Sequence, residues 1–274
     1  MSRSKGGWEL PISEGELSRL TREMDEAHQE TLPVMAASAR DLTQELRDLE
    51  TAGPDTGQEQ RVHLARRRFL VGAGASAAVL ALAACGGKSE VKAAPSGGPS
   101  GSPQSGQYTG DLKVVALAAA LENQAVGAYQ AALTAAKDGK LGDVPPVLAT
   151  FAQTAMSQHR DHADAWNGVL ADAGKPKITG TPLSNHDEVT RALGQVKDVP
   201  GVARLALRLE DQATQTYVFA TFNVASAGGI NTAATIAPVE AMHSAILHFV
   251  LGQYPVPDDF INTDKAAKTS LLTV

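Results

Sequence analysis

The sequence predicts an all-α protein whose C-terminal half, residues 111–252, is an antiparallel four-helix bundle with a long connection between its second and third helices. Aromatic residues make up only 4 % of the 274-residue chain, while Ala, Leu, Gln and Glu recur in long runs. That composition favours helix over sheet. Between residues 111 and 251, Gly, Pro and charged turns divide the chain into four stretches of helical length. One short pattern occurs in both the first and the third of them, as two related helical hairpins would require.

Helix A is predicted over 111–137 and ends in the charged turn Asp138-Gly139-Lys140. Helix B, over 144–173, opens after Asp143 with Pro145 in its first turn and closes at Gly174. A loop with Pro176 and Pro182 then leads to a short helical piece around Asp187–Leu193. Helix C spans 198–226, with Pro200 in its first turn, and stops at Gly228-Gly229. Helix D spans 231–251, with Asn231 or Thr232 as cap and Gly252 after it. Pro238 lies inside it and predicts a kink or a later start. The longest connection joins B to C, where two packed hairpins must cross over. Residues 253–274, with Pro255 and Pro257, form a tail.

Residues 86–110 are rich in Gly, Ser and Pro with no apolar period, and are expected to be a disordered tether with a reach of roughly 25–30 Å. Residues 65–85 have the form of an export signal. Ala65-Arg66-Arg67-Arg68-Phe69-Leu70 opens about fifteen apolar and small residues ending at Leu82-Ala83-Ala84-Cys85, a run too short for a comfortable bilayer span. The Arg66-Arg67-x-Phe69-Leu70 run resembles the twin-arginine signal of proteins exported folded, and Leu82-Ala83-Ala84-Cys85 resembles a bacterial lipobox. These resemblances imply the twin-arginine export machinery as a partner, cleavage before Cys85 and a lipid on its thiol. The product would be an extracytoplasmic, membrane-anchored lipoprotein of the bacterial cell envelope. An uncleaved anchor would also leave residues 86–274 outside the cytoplasm. Cys85 is the only cysteine, so neither an intramolecular disulfide nor a cysteine-cluster metal site is available.

Residues 1–64 are expected to be a partly helical cytoplasmic lead. Two amphipathic pieces are predicted over 14–50, split at Pro33: Leu17, Leu20 and Met24 mark the first, and Met35, Ala39, Leu42, Leu46 and Leu49 the second. A long lead, a start placed too far upstream, and an interaction head kept by an uncleaved anchor all stay open. His28 lies among Asp25, Glu26 and Glu30, an ordinary pattern for a solvated helix, and is assigned no metal. The net charge of −6, with no basic stripe on the C-terminal half, argues against nucleic acid as a partner.

The chemistry lies in the bundle. Helix A carries Leu121-Glu122-Asn123-Gln124-Ala125 with Tyr129, and helix C carries Leu209-Glu210-Asp211-Gln212-Ala213 with Tyr217. Helix D carries Glu240-Ala241-Met242-His243 followed by Leu247, and helix B carries His159-Arg160-Asp161-His162 followed by Trp166 at the same offset. Residues three apart on a helix face one neighbour, so Glu240 with His243, and His159 with His162, can each grip one region. Glu122 and Glu210 lie on otherwise apolar faces, where a bare carboxylate is costly unless paired, protonated or bound to a metal. Imidazole with carboxylate suits iron, manganese or zinc. Tyr129 and Tyr217 are expected in the core or hydrogen-bonded around the site, and Trp166 in the core. Gln124 and Gln212 are expected to hydrogen-bond near the site. His186 and His248 are expected to be ordinary polar residues.

This set resembles the ferritin-like di-iron carboxylate family, in which two helices each give one Glu and two each give Glu-x-x-His. The resemblance implies that Glu122 and Glu210 are terminal carboxylates, that Glu240 with His243 is one Glu-x-x-His, and that His162 is the histidine of the other. It also implies a two-iron site, with manganese or zinc as alternatives. His159 stands where the family has Glu. A neutral imidazole cannot bridge as a carboxylate does, so the expectation is a less stable oxidised di-iron state, a weakened second metal position, or a water or hydroxide in the missing bridge. Asp161 lies off the ligand face, from which it would have to swing in. Three functions fit: a ferroxidase-type redox enzyme using dioxygen or peroxide, a metal-binding or storage module, and a structural lipoprotein with a decayed site. The substrate, the electron partner and dimerisation through a helix face stay open.

Overall fold

The computed structural model describes residues 8–52, 107–256 and 261–274. Among them are six α-helices: α1 Glu14–Ala52, α2 Asp111–Lys137, α3 Pro146–Asp172, α4 His186–Gln195, α5 Val199–Asn223 and α6 Ala227–Val250. A short 3-10 turn, Thr269–Leu271, follows. No β-sheet forms among the described residues; Leu183 and Leu272 make one isolated antiparallel bridge. Arg66, Arg67 and Cys85, with the whole signal-like segment and most of the tether, lie outside the described residues.

Helices α2 and α3 form one hairpin and α5 and α6 the other, giving the four-helix bundle, with α4 inside the long connection between them. Local chemistry sets the helix ends. Asp198 caps α5 by accepting from Gly201 N at 2.7 Å, with Pro200 in the first turn. Asp111, the first residue of α2, accepts from Ala225 N at 3.0 Å and from Ser226 N at 2.9 Å, tying its hairpin to the α5–α6 turn. The α3–α4 loop is pinned from below: Asn167 exchanges hydrogen bonds with both the N–H and the carbonyl of Ile178, and Asn123 Nδ2 also donates to that carbonyl. In the tail, Lys265 N donates to Gln215 Oε1 at 2.7 Å and Ala267 N to Thr216 Oγ1 at 2.8 Å.

Three sequence expectations change. The two pieces split at Pro33 are one continuous helix, α1; α6 contains Pro238 within its length, so the later start expected there does not occur. Each proline removes one hydrogen bond to the carbonyl four residues back. Both prolines, and the Gln29 and Ala234 that carry those carbonyls, are exposed, so water can replace the lost donor. In addition, Gly228 and Gly229 do not stop the third helix. They begin α6, four residues earlier than expected.

The third change has the largest consequence, because α1 lies along α6 and α3 as a fifth long helix. Its buried positions Leu17, Thr21, Met24, His28, Met35, Ser38 and Leu42 recur at alternating steps of four and three residues or their sum, a stripe that faces one seam. Glu45 of α1 accepts from Ala227 N at 2.8 Å and Gly228 N at 3.1 Å, placing a carboxylate on the N-terminus of α6. Contact there is backbone to backbone: a Cβ built on Gly228 would stand 2.2 Å from Leu42 N.

Candidate metal centre

Six side chains from four helices converge in the middle of the bundle: Glu122 (α2), His159 and His162 (α3), Glu210 (α5), and Glu240 and His243 (α6). All are buried. They form two four-residue groups, Glu122-His159-His162-Glu240 and His159-Glu210-Glu240-His243, in each of which the ligand atoms lie within 4.8 Å of one another. The two groups share Glu240 and His159. Glu240 faces both ways, with Oε1 2.9 Å from His162 Nδ1 and Oε2 3.3 Å from His243 Nδ1. His159 also faces both ways, with Nδ1 2.7 Å from Glu122 Oε2 and Nε2 3.2 Å from Glu210 Oε1. Each of its nitrogens has one lone pair, and a neutral ring keeps a proton on one of them. A neutral His159 therefore ligates on one side only, and the two positions are chemically unequal.

The residues fit a pair of divalent cations. His162 Nδ1 and Nε2 and Glu240 Oε1 are buried without a hydrogen-bond partner, because the 2.9 Å approach between His162 and Glu240 lacks hydrogen-bond alignment. Buried polar atoms are rarely left so. Two groups of carboxylate and imidazole donors converging on adjacent points account for His162 Nδ1 and Glu240 Oε1, and these donors suit iron, manganese or zinc.

Surrounding residues hold the ligands in place. Tyr129 on α2 donates to Glu210 Oε1, and Tyr217 on α5 donates to Glu122 Oε1. Each tyrosine thus serves the glutamate of the facing helix, because α2 and α5 run in opposite directions past the site. Burial, followed by the charges of nearby glutamates, pushes both hydroxyls well above their usual range, so they remain neutral donors. Trp166 stacks on Tyr217 and donates to its oxygen at 2.9 Å. Gln158 was not singled out from sequence. Its Oε1 lies 2.8 Å from His243 Nε2, fixing that nitrogen as the N–H and leaving Nδ1 for the site. Two expectations are corrected here. Gln212 reaches away to Lys265 O at 3.4 Å, and Gln124 Oε1 is buried with no partner. His248 pairs with Gln253 and His186 begins α4, both outside the centre.

His28 is the residue whose placement most departs from expectation. It is 0 % exposed, neither ring nitrogen has a hydrogen-bond partner, and its ring stands edge-on to His162 with centroids 5.3 Å apart. Its spacing of four from Met24 and seven from Met35 was the available signal; the flanking acids Asp25, Glu26 and Glu30 masked it.

Metal-stripped protein should carry the site as ion pairs. Burial disfavours a charged His162, but the close approach of the negatively charged Glu122 and Glu240 outweighs it and raises its pKa to about 9. Burial likewise opposes a charged Glu122, yet His159 and His162 bring it down to about 2. His28 is lowered to about 4 by burial and then by the charges of His162 and His243. Stabilisation from His162 is therefore complete below its usual 6.5 and is lost as pH rises towards 9. That from Glu122 is complete above 4.5 and lost as pH falls towards 2; that from His28 is complete above 6.5 and lost as pH falls towards 4. Each flank has a slope of about 1.4 kcal/mol per pH unit and group. Chelator-stripped protein is thus expected to show its highest thermal midpoint near pH 6.5 in scans from pH 4 to 9. A midpoint still rising at pH 9 would contradict the pairing.

A family model described as ferritin-like domain matches residues 102–253, more than half of the chain. No curated protein and no solved structure gives a significant match.

Proposed function

The chain belongs to the ferritin-like domain family, and from that premise we propose that it binds a pair of iron or manganese ions and oxidises ferrous iron with hydrogen peroxide or dioxygen. The observation that carries this reading is Glu240, which presents one oxygen to each of two adjacent ligand groups. When bound, paired ferrous ions supply two electrons at one site, matching the two-electron reduction of hydrogen peroxide to water or of dioxygen to hydrogen peroxide. Glu122 and Glu210 hold the outer sides, each kept in orientation by a tyrosine of the facing helix. Gln158 sets the tautomer of His243. The helix α1 and the bundle core keep bulk water from the ligand atoms, which strengthens every charge interaction inside. Export and lipid anchoring belong to the same proposal, supported by the twin-arginine-like and lipobox-like runs ending at Cys85.

The test is single-turnover chemistry in the full chain. Anaerobic protein is loaded with two ferrous ions per chain, given hydrogen peroxide, and followed by ferric absorbance and peroxide consumption. One peroxide consumed per two irons supports the proposal. Two ions held without oxidation would reduce the protein to a binding module, and no stoichiometric binding would remove the metal reading altogether.

A further inference from the structure

Helix α1 brings to the bundle a pair of the same form as those that build the centre. Asp25 and His28 stand three residues apart, as do Glu240 and His243, so both face one neighbouring helix. That neighbour is α3, where Gln158 and Asp161 stand at the same interval. The two faces meet: Gln158 Nε2 donates to Asp25 Oδ1 at 3.1 Å, and Asp161 Oδ2 lies 4.0 Å from His28 Nε2. A separation of 4.0 Å is too long for a hydrogen bond. It is the spread of an imidazole nitrogen and a carboxylate oxygen that each sit about 2.1 Å from one cation at a wide angle.

His28 supplies the independent observation. A fully buried imidazole with both nitrogens unpartnered is costly unless something binds it. Its Nε2 points towards Asp161, whose side chain is 41 % exposed and so reaches solvent. The next residue after Asp161 is His162, a ligand of the paired centre. We propose that His28 and Asp161 hold an auxiliary divalent cation on the seam between α1 and α3, next to the paired centre and distinct from it, with Asp25 kept beside them by Gln158. Asp25 and His28 lie outside residues 102–253, the part of the chain matched by the family. The inference rests on the proposed paired centre only in taking His162 as that centre's ligand.

The experiment is equilibrium dialysis of the full chain against Mn²⁺, with ions counted by mass spectrometry, for wild type, His28→Ala, Asp161→Asn and Glu240→Gln. The expected wild-type isotherm has a tight component and one further, weaker ion. His28→Ala and Asp161→Asn should each weaken that further ion about tenfold or more and leave the tight component in place. Glu240→Gln should do the reverse. If His28→Ala fails to fold by circular dichroism, Asp161→Asn decides, since its side chain is partly in water. A wild type with no ion beyond those lost in Glu240→Gln would overturn the auxiliary site, as would unchanged binding in Asp161→Asn. Failure of the paired centre has a different signature: Glu240→Gln would lose nothing.

Discussion

Glu240→Gln is expected to empty both positions of the paired centre at once, so that the full chain loses two ions. No other ligand should have this effect. Glu240 gives Oε1 to the His162 side and Oε2 to the His243 side, whereas Glu122 and Glu210 each serve one group. An amide of the same shape keeps the packing but loses the charge and one acceptor oxygen. Two divalent ions among three carboxylates already leave about one positive charge uncompensated; with two carboxylates they leave about two, in a buried site where charge is expensive. Glu122→Gln and Glu210→Gln should each cost mainly the ion on their own side. Metal content by mass spectrometry after anaerobic loading, beside circular dichroism to show the bundle intact, distinguishes these patterns. A Glu240→Gln protein that loses neither of these two ions would move the paired site elsewhere.

The route from sequence to this site was short where the chain repeats itself. The doubled Leu-Glu-x-Gln-Ala-x-x-x-Tyr run identified Glu122 and Glu210, and the i, i+3 pairs on the other two helices identified the rest of the convergent set. The cross-pairing of Tyr129 and Tyr217 was not legible. Counting along a single helix puts each tyrosine two turns from its own glutamate and says nothing about the antiparallel partner that it reaches. Helix α1 was obscured by Pro33 and by some 60 intervening residues that look like signal and tether, which suggested a separate unit. Yet the stripe through Leu17, Met24, His28, Met35 and Leu42, with only the small Thr21 and Ser38 between, has no charged or large polar interruption except His28, and so required a partner surface of its own. Gly228 and Gly229 misled for a related reason. Glycine marks both helix stops and close backbone approaches, and only the position of α1 tells them apart.

Removing α1 should cost the bundle more stability than any single substitution. Leu17, Met24, Met35 and Leu42 are all buried against α3 and α6, and at about 1.5–3 kcal/mol each their burial is worth roughly 6–12 kcal/mol before the cost of ordering the helix. Residues 86–274 alone should therefore melt well below the full chain and bind a hydrophobic dye along the uncovered α3–α6 seam. This bears on export, because cleavage before Cys85 would separate α1 from the bundle in the mature form. A sharper measure of docking is the sign of Gly228→Ala. In residues 86–274 the substitution replaces a poor helix former with a good one and should be neutral or stabilise by up to about 1 kcal/mol. In the full chain the new Cβ would meet Leu42 N at 2.2 Å and Ser38 O at 2.7 Å. Those are backbone atoms that cannot turn aside, so the same change should destabilise by about 1–3 kcal/mol. Opposite signs in the two chains, measured by urea unfolding, would establish that α1 rides on the bundle; the same sign in both would mean that the helix spends its time elsewhere.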